Sequence, residues 1–177
     1  MLGQLGEVVE LTPGEDAFAV RATLASTLSP TWGNYGPAFE EMVNTPFAKD
    51  SIEFLNSEKY QYKVWDWDRP GNISDYIARL NQIRRDHAAL QEYDNLSFLH
   101  ADDDNVLCYI KALPERESYV MMAVNLDPFQ GHQVNIEVPH HILGTTPDDQ
   151  VRARELFTNE SFLWQGSSQS VYLDPQT

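Results

Sequence analysis

Three groups of residues in this 177-residue sequence have the types that catalysis or metal binding requires, and the first is a pair of carboxylates. Asp66 and Asp68 are two positions apart, so they would share one face of an extended segment and could act as an acid/base pair. A loop that hydrogen-bonds its own backbone and pairs these carboxylates with Arg69 explains them with fewer assumptions. We favour that structural interpretation.

The other two groups resemble metal sites only in part. His140-His141 would suit zinc, but no Cys or carboxylate at ligand spacing accompanies it, which favours a solvated loop. The run Asp102-Asp103-Asp104-Asn105 resembles the start of a calcium loop, yet it lacks the glycine and the distal glutamate of that motif, so it predicts a hairpin turn. Cys108 lies inside an apolar run and is predicted to be a buried thiol. We therefore expect no metal site.

Composition excludes several partners. The sequence has 27 acidic and 12 basic residues, a net charge of −15, which disfavours nucleic-acid phosphates and anionic membrane surfaces. It has no apolar run near the length of a membrane span and no basic-then-apolar start, so we expect no membrane association and a cytoplasmic location, although a fragment could have lost its signal. One cysteine precludes an intramolecular disulfide.

The elements that must position any site are organised around a long connection, residues 36–72. Connections of this length are usually functional or disordered. This one is rich in aromatic residues, which disordered segments lack because they cannot bury enough apolar surface. We interpret it as an ordered loop that builds a site. Its aromatic residues are Phe39, Phe47, Phe54, Tyr60, Tyr62, Trp65 and Trp67.

Helix patterns flank this loop. The run Thr12-Pro13-Gly14-Glu15 has a capping hydroxyl, a proline at the first helical position and a glutamate three residues after the cap, and Ser29-Pro30 ends the helix. Residues 32–35 are predicted to be a short strand. After Pro70-Gly71-Asn72, apolar residues recur at helical spacing as far as Leu90, with Arg84 and Arg85 assigned to a solvated face.

The second half of the sequence changes to short β-rich runs separated by turn residues. The predicted strands are 96–100, 106–113, 119–126, 133–138, 152–156 and 170–173. Many short strands at this spacing indicate an antiparallel sandwich. Val106, Cys108 and Ile110 alternate with Leu107, Tyr109 and Lys111, which predicts a sheet with one drier face.

A helix–strand–loop–helix segment with a single strand is typical of the end of an α/β barrel. In barrels the loop after a strand lies on the face where the active site is built. The predicted fold is therefore α+β. Residues 1–92 are the last helix-strand-helix portion of a (β/α)8 barrel with a long active-site loop at 36–72, and residues 93–177 are an antiparallel β-sandwich.

Several motifs in this arrangement resemble one subgroup of the alpha-amylase superfamily, the alpha-1,4-glucan:maltose-1-phosphate maltosyltransferases. The run from Ala25 to Gly36 resembles the last helix-to-strand passage of the superfamily barrel. The similarity extends from about Phe18 to Pro128 and weakens beyond. The other motifs are Phe39-Glu40, Leu55-Asn56-Ser57-Glu58-Lys59-Tyr60-Gln61, Trp65-Asp66-Trp67-Asp68-Arg69-Pro70, Leu80-Asn81-Gln82-Ile83-Arg84-Arg85, His87-Ala88-Ala89-Leu90-Gln91 and Val124-Asn125-Leu126-Asp127-Pro128.

The resemblance implies a retaining transfer of maltosyl from maltose 1-phosphate to the non-reducing end of an alpha-1,4-glucan, without a cofactor. Such chemistry uses two carboxylates. In the family these come from earlier barrel strands, so no catalytic residue is assigned to this chain, which is expected to be inactive alone. Lys59 and Tyr60 match the family's donor-binding pair, and an ammonium group and a tyrosine suit sugar hydroxyls and ring faces. The departures from the family are residues 1–11 and 44–54.

Two alternatives stay open at the level of sequence. The chain could belong to another hydrolase or transglycosidase of the superfamily, or its sandwich could be a glucan-binding or interaction module. Trp32, Trp65 and Trp67 are predicted to pack the end of the barrel, whereas Trp164 is undecided between packing and stacking on a sugar. A homodimer would offer one way to cover exposed apolar surface.

Overall fold

A computed structural model describes residues 3–4, 7–9, 16–34, 36–43, 45–49, 51, 53, 55, 62–127 and 129–174. The first part is helical and the second part is mostly strands. The helices are α1 (Asp16–Leu28), α2 (Pro37–Glu40), α3 (Ser74–Asp86) and α4 (His140–Leu143), and short 3₁₀ turns lie at Ala88–Gln91 and Pro114–Arg116. Among the described residues, every helix is too short or too polar to cross a bilayer.

The two long helices end close to where the sequence predicts. Helix α1 ends at Leu28, immediately before Ser29-Pro30, because proline disfavours helical geometry in the residue before it. Its predicted cap at Thr12 lies outside the described residues. Helix α3 ends at Asp86, and His87 is extended before the chain continues as a 3₁₀ turn.

The strands form three small sheets. Strand β1 (Gly3–Gln4) pairs in parallel with β7 (Val151–Arg154), which pairs with β8 (Ser161–Trp164). A four-stranded sheet has the order β2 (Glu7–Val9), β5 (Ser118–Asn125), β4 (Val106–Leu113) and β3 (Leu96–Leu99). Strand β6 (His132–Glu137) pairs with β9 (Ser168–Leu173). The six strands predicted for the second half of the sequence are all found within a few residues of their predicted bounds, whereas β1, β2 and β8 were not predicted.

One hydrophobic core lies between the four-stranded sheet and the two smaller sheets, which together form a β-sandwich. The inward side chains of β4 and β5 meet those of β6, β7, β8 and β9. Trp164 is part of this core and only 6% exposed, so it packs the sandwich and does not present a ring to a sugar. The members of this core include Val106, Cys108, Ile110, Met121, Ala123, Val134, Ile136, Val151, Ala153, Trp164 and Leu173.

A second core covers the opposite face of β4 and β5, so the prediction of one drier face is wrong. Helices α1 and α3 pack there, and Ile83 and Leu90 join Val120 and Met122 in one cluster. Tyr109 and Lys111, expected on the wetter face, are almost completely inaccessible. The Lys111 ammonium donates to the carbonyl of Glu92 (2.7 Å), and burial lowers its pKa.

The predicted strand at residues 32–35 is not present as a strand. Residues 31–34 are described and have no ladder partner among the described residues, and Tyr35 lies outside them. A strand exists only where a neighbour supplies backbone hydrogen bonds. The segment is held through side chains, since the Trp32 indole N–H donates to Asn81 Oδ1 of α3 at 3.2 Å.

Arg84 ties the end of α1 to α3, which corrects its assignment to a solvated face. Its guanidinium donates to the carbonyls of Ser26, Ser29 (3.2 Å) and Pro30 (2.6 Å), and burial lowers its pKa. Carbonyls at the end of a helix lack intrahelical partners, so a guanidinium from the next helix satisfies them.

A chain of hydroxyl groups links α1 to β4 through the second core. Thr27 Oγ1 donates to the carbonyl of Thr23 (2.6 Å) and lies 2.7 Å from Tyr109 Oη. Because the single Thr27 hydroxyl proton goes to Thr23, the Tyr109 hydroxyl must be the donor to Thr27. Burial raises the pKa of Tyr109 to about 12. The phenol therefore acts as a buried donor that needs its acceptor.

We expect Thr27→Val to lower the free energy of unfolding by about 1–3 kcal/mol, because the buried Tyr109 hydroxyl loses its acceptor. Tyr109→Phe should cost about 0.5–1.5 kcal/mol, and the double variant should cost less than the sum of the two single variants. Denaturant unfolding measures all three, with Tyr93→Phe, at a side chain 69% exposed, as the control. Strictly additive effects would contradict this hydrogen bond.

The predicted burial of Cys108 is confirmed. Its side chain is 2% exposed, and burial raises the pKa of the thiol to about 12. Since the thiolate is the reactive form of cysteine, the native thiol should be inert near neutral pH.

In the folded chain, the Cys108 thiol should therefore resist an aromatic disulfide reagent for hours at pH 8. In a chain unfolded with guanidinium, the same thiol should react within minutes. Absorbance of the released thiol measures both rates. A Cys108→Ala/Ser97→Cys variant, with its thiol on the exposed side of β3, serves as the accessible control. Fast labelling of the folded wild type would show that Cys108 is reached without unfolding.

Candidate functional site

The two ends of the long loop meet at its base. The Ile73 N–H, just before α3, donates to the carbonyl of Glu40 at the end of α2 (3.0 Å). Asn72 completes the junction, with its side-chain amide donating to the carbonyl of Arg69 (2.7 Å) and its Oδ1 accepting the N–H of Ser74 (3.0 Å). Residues more than thirty positions apart thus close the loop into a ring.

Within the ring, the chain forms a narrow hairpin before the predicted donor-binding residues. The N–H of Phe47 donates to the carbonyl of Glu53, and the N–H of Leu55 donates to the carbonyl of Thr45, both at 2.8 Å. The hairpin therefore brings Leu55 back beside Thr45, where it begins. Lys59 and Tyr60 follow directly in the sequence, and both lie outside the described residues.

After these residues the side chains of residues 62–65 alternate in exposure. Tyr62 is 89% and Val64 is 85% exposed, whereas Lys63 and Trp65 are half-buried, with the Lys63 ammonium 5.3 Å from the centre of the Trp65 ring. Trp67 is also half-exposed, so of the three tryptophans predicted to pack the barrel end, Trp32 and Trp65 are the better covered.

The aspartates near this segment do not form an acid/base site. Asp66 and Asp68 are exposed, and the N–H of Arg69 donates to the main-chain carbonyl of Asp66 (3.1 Å). The prediction that Arg69 pairs with these carboxylates is wrong, because its guanidinium turns instead to Glu41 (2.5 Å). Glu41 is a residue that reasoning from sequence missed, since nothing local links it to an arginine 28 positions later.

The predicted metal-like motifs have structural roles. His140, expected in a solvated loop, is 9% exposed and uses both ring nitrogens, at 2.8 Å from Thr145 Oγ1 and 2.8 Å from the carbonyl of Gly166. Its short helix α4 is thereby attached to the turn that precedes β9. Throughout the part of the chain that the structure describes, no group of three or more metal-binding side chains is found.

The acidic run after β3 is a turn, as predicted, but it belongs to a charged cluster that reasoning from sequence missed. His132 Nδ1 is 2.6 Å from Asp103 Oδ2, and His132 Nε2 is 3.3 Å from Asp127 Oδ2. The two hydrogen bonds raise the pKa of His132, that with Asp103 contributing most. Backbone hydrogen bonds from Asn105 to Asp103 and from Phe129 to Asp127 are the main reason that the pKa of each carboxyl is lowered.

This cluster predicts how stability changes with pH. A histidine whose pKa is raised on folding stabilises the native state fully below its unfolded pKa, and the contribution disappears as pH rises through the raised value. We therefore expect the Tm to fall as pH rises above the ordinary histidine pKa of about 6.5 and through the raised value, and His132→Gln to flatten this part of the profile. Calorimetry at several pH values measures it.

His141→Gln, at an exposed position on α4, is the matched control and should keep the wild-type profile. The two carboxyls contribute stability in the opposite range, present above their unfolded pKa and lost as pH falls through their lowered values. An identical slope above the ordinary histidine pKa in wild type and His132→Gln would contradict the role of the cluster.

Comparison with known proteins shows which proteins this chain resembles. Residues 98–177 match the family model described as GLGE, C-terminal. The chain is 44% identical over 163 residues to the alpha-1,4-glucan:maltose-1-phosphate maltosyltransferase of Myxococcus xanthus, a match that covers 92% of this chain and 24% of that protein. The enzyme of the same name from Methylacidiphilum infernorum is 37% identical over 160 residues, covering 90% and 24%.

The chain thus spans about a quarter of the length of the curated relatives it matches, and the similarity reaches well beyond the sandwich. The resemblance predicted from the motifs is confirmed. Residues 98–177 thus match the GLGE C-terminal family model, and the chain as a whole is similar to the alpha-1,4-glucan:maltose-1-phosphate maltosyltransferases.

Proposed function

We propose that this chain is the C-terminal part of a retaining maltosyltransferase that transfers maltosyl from maltose 1-phosphate to the non-reducing end of an alpha-1,4-glucan. The observation that carries this proposal is the extent of the similarity. Relatives bearing that name match about nine-tenths of the chain, so the match includes the helical layer and most of the loop as well as the sandwich.

The proposed chemistry is a double displacement at the anomeric carbon. An aspartate attacks C1 of the donor, the bond from C1 to the phosphate oxygen breaks, and a glutamic acid gives its proton to the departing phosphate. The glutamate then removes the proton from the acceptor 4-hydroxyl as that oxygen displaces the aspartate from C1. Both carboxylates are proposed to lie in the part of the relatives' length that this chain does not span, so the chain alone should be inactive.

The arrangement of α1, residues 31–34 and α3 supports the proposed origin in a barrel. The two helices lie side by side, as successive outer helices of a (β/α)8 barrel do, and residues 31–34 connect α1 to the loop as the last barrel strand would. In a whole barrel the neighbouring strands would supply the ladder partners that this segment lacks among the described residues.

Lys59 and Tyr60 are proposed to contact the maltosyl unit of the donor. They follow the hairpin that ends at Leu55 and precede the segment that exposes Tyr62 and Val64. An ammonium group offers three donors to sugar hydroxyls, and a tyrosine combines an apolar ring face with a polar tip. The proposed transfer replaces one oxygen substituent by another at C1 without any redox change, and phosphate is already a good leaving group, so no cofactor is proposed. A cytoplasmic location and a homodimer stay predictions.

In the full-length enzyme, we expect Lys59→Met and Tyr60→Phe each to lower kcat/KM for maltose 1-phosphate by about tenfold to a hundredfold, because each removes hydrogen bonds to the bound donor. Phosphate release with glycogen as acceptor measures the rate. Lys49→Met, at an exposed lysine of the same loop, is the matched control and should stay near wild type.

The 177-residue chain alone provides the blank and should release no phosphate. Full-length wild type that hydrolyses starch but releases no phosphate from maltose 1-phosphate would favour the alternative of another hydrolase of the superfamily. Wild-type kinetics in both loop variants would contradict the donor-binding role of Lys59 and Tyr60.

A further inference from the structure

The loop between α2 and α3 is closed at its base by an ionic contact between Glu41 and Arg69, here called the loop clamp. Arg69 Nε lies 2.5 Å from Glu41 Oε2, and a second guanidinium nitrogen donates to the main-chain carbonyl of the same glutamate. One arginine thus holds a single residue by its side chain and by its backbone. The residues between the two partners include Lys59 and Tyr60.

Burial distinguishes this pair from an ordinary surface ion pair. The Glu41 side chain is only 6% exposed, whereas that of Arg69 is 46% exposed and enters from the solvent side. Exposed ion pairs contribute little, but a carboxylate removed from water depends on its partner. Glu41 Oε1 has no hydrogen-bond partner among the described residues, so Arg69 is the main compensation for this buried charge.

Arginine suits this contact better than lysine would. Its planar guanidinium presents several donors in a fixed fork, which lets it reach a carboxylate and a carbonyl at once. The carbonyl of Glu41 follows the last residue of α2, where main-chain acceptors lack intrahelical partners. The clamp therefore caps α2 as well as neutralising the glutamate.

The backbone beside the clamp is held in an unfavourable conformation. Met42, the next residue, has φ of +52°, a left-handed value that side chains other than glycine rarely adopt. Such a conformation persists only where surrounding contacts determine it. The clamp supplies a contact of this kind at the point where the chain leaves α2 and enters the loop.

The base that the clamp joins is fixed to the rest of the fold. Phe39 of α2 packs edge-on against Phe18 of α1, with ring centres 5.2 Å apart. On the other side, Asn72 Oδ1 accepts the N–H of Ser74, the first residue of α3, at 3.0 Å. Both ends of the loop are thereby attached to the helical layer.

We propose that Glu41 and Arg69 are a positioning pair for donor binding, which sets the placement of the loop that carries Lys59 and Tyr60. The pair does not touch the substrate in this proposal, and its kinetic effect rests on the proposed donor role of those two residues. Small displacements of binding groups are costly, since a misplacement of about 1 Å can reduce rates a hundredfold. A loop of this length needs a defined closure to place two side chains reproducibly.

The first test uses hydrogen exchange in the 177-residue chain. In Arg69→Met we expect exchange of peptides from residues 42–68 to rise about tenfold or more, including the amides of Phe47 and Leu55, while peptides from β4 and β5 stay unchanged. Glu41→Gln combined with Arg69→Met removes the pair without leaving a buried charge and should show the same loop-confined increase. Arg85→Met, at an exposed arginine bonded to Gln82 of its own helix, is the matched control.

The second test uses the full-length enzyme. Arg69→Met should raise KM for maltose 1-phosphate about tenfold with a much smaller change in kcat, and Arg69→Lys should recover only part of the loss because it cannot hold both acceptors. Raised loop exchange with an unchanged KM would overturn the positioning role of the pair, whereas the donor-binding role of Lys59 and Tyr60 is decided separately by the variants at those two residues. Unchanged loop exchange in Arg69→Met would overturn the clamp itself.

Discussion

The whole structure depends on burial of both faces of the central strand pair β4 and β5. One face meets β6, β7, β8 and β9 in the sandwich core, and the other meets α1 and α3. Burial of apolar surface is the main favourable contribution to folding, and a sheet covered on both faces buries apolar side chains on each of them. The helical layer is therefore packed on the sandwich through a shared core.

Polar groups inside this junction are satisfied by contacts between distant parts of the chain. Arg84 binds the carbonyls at the end of α1, and Lys111 binds the carbonyl of Glu92. Arg79 adds a further link from α3 to the carbonyl of Leu156 beyond β7. Because buried polar groups are costly unless they are hydrogen-bonded, these cations fix the orientation of the helices on the sheet.

The loop is attached to this scaffold but extends beyond it. Its base is tied to α1, α2 and α3, while Tyr62, Val64 and Trp67 remain open to solvent. A rigid base with an exposed apolar rim is the usual design of a binding loop.

The sequence by itself determined the local elements: helix α1 up to Ser29-Pro30, helix α3, six of the nine strands and the turn at Asp102–Asn105 follow from periodicity, proline and turn chemistry. The motifs around the loop also determined the family resemblance. Only the tertiary structure decided that Lys111 is buried and that residues 31–34 have no ladder partner in the described part of the chain. It alone also decided that Arg69 meets Glu41 and that His132 joins two aspartates. These features depend on which parts of the chain pack together in the fold. Tertiary packing sets the solvation and the partners of a side chain, and its neighbours in the sequence do not.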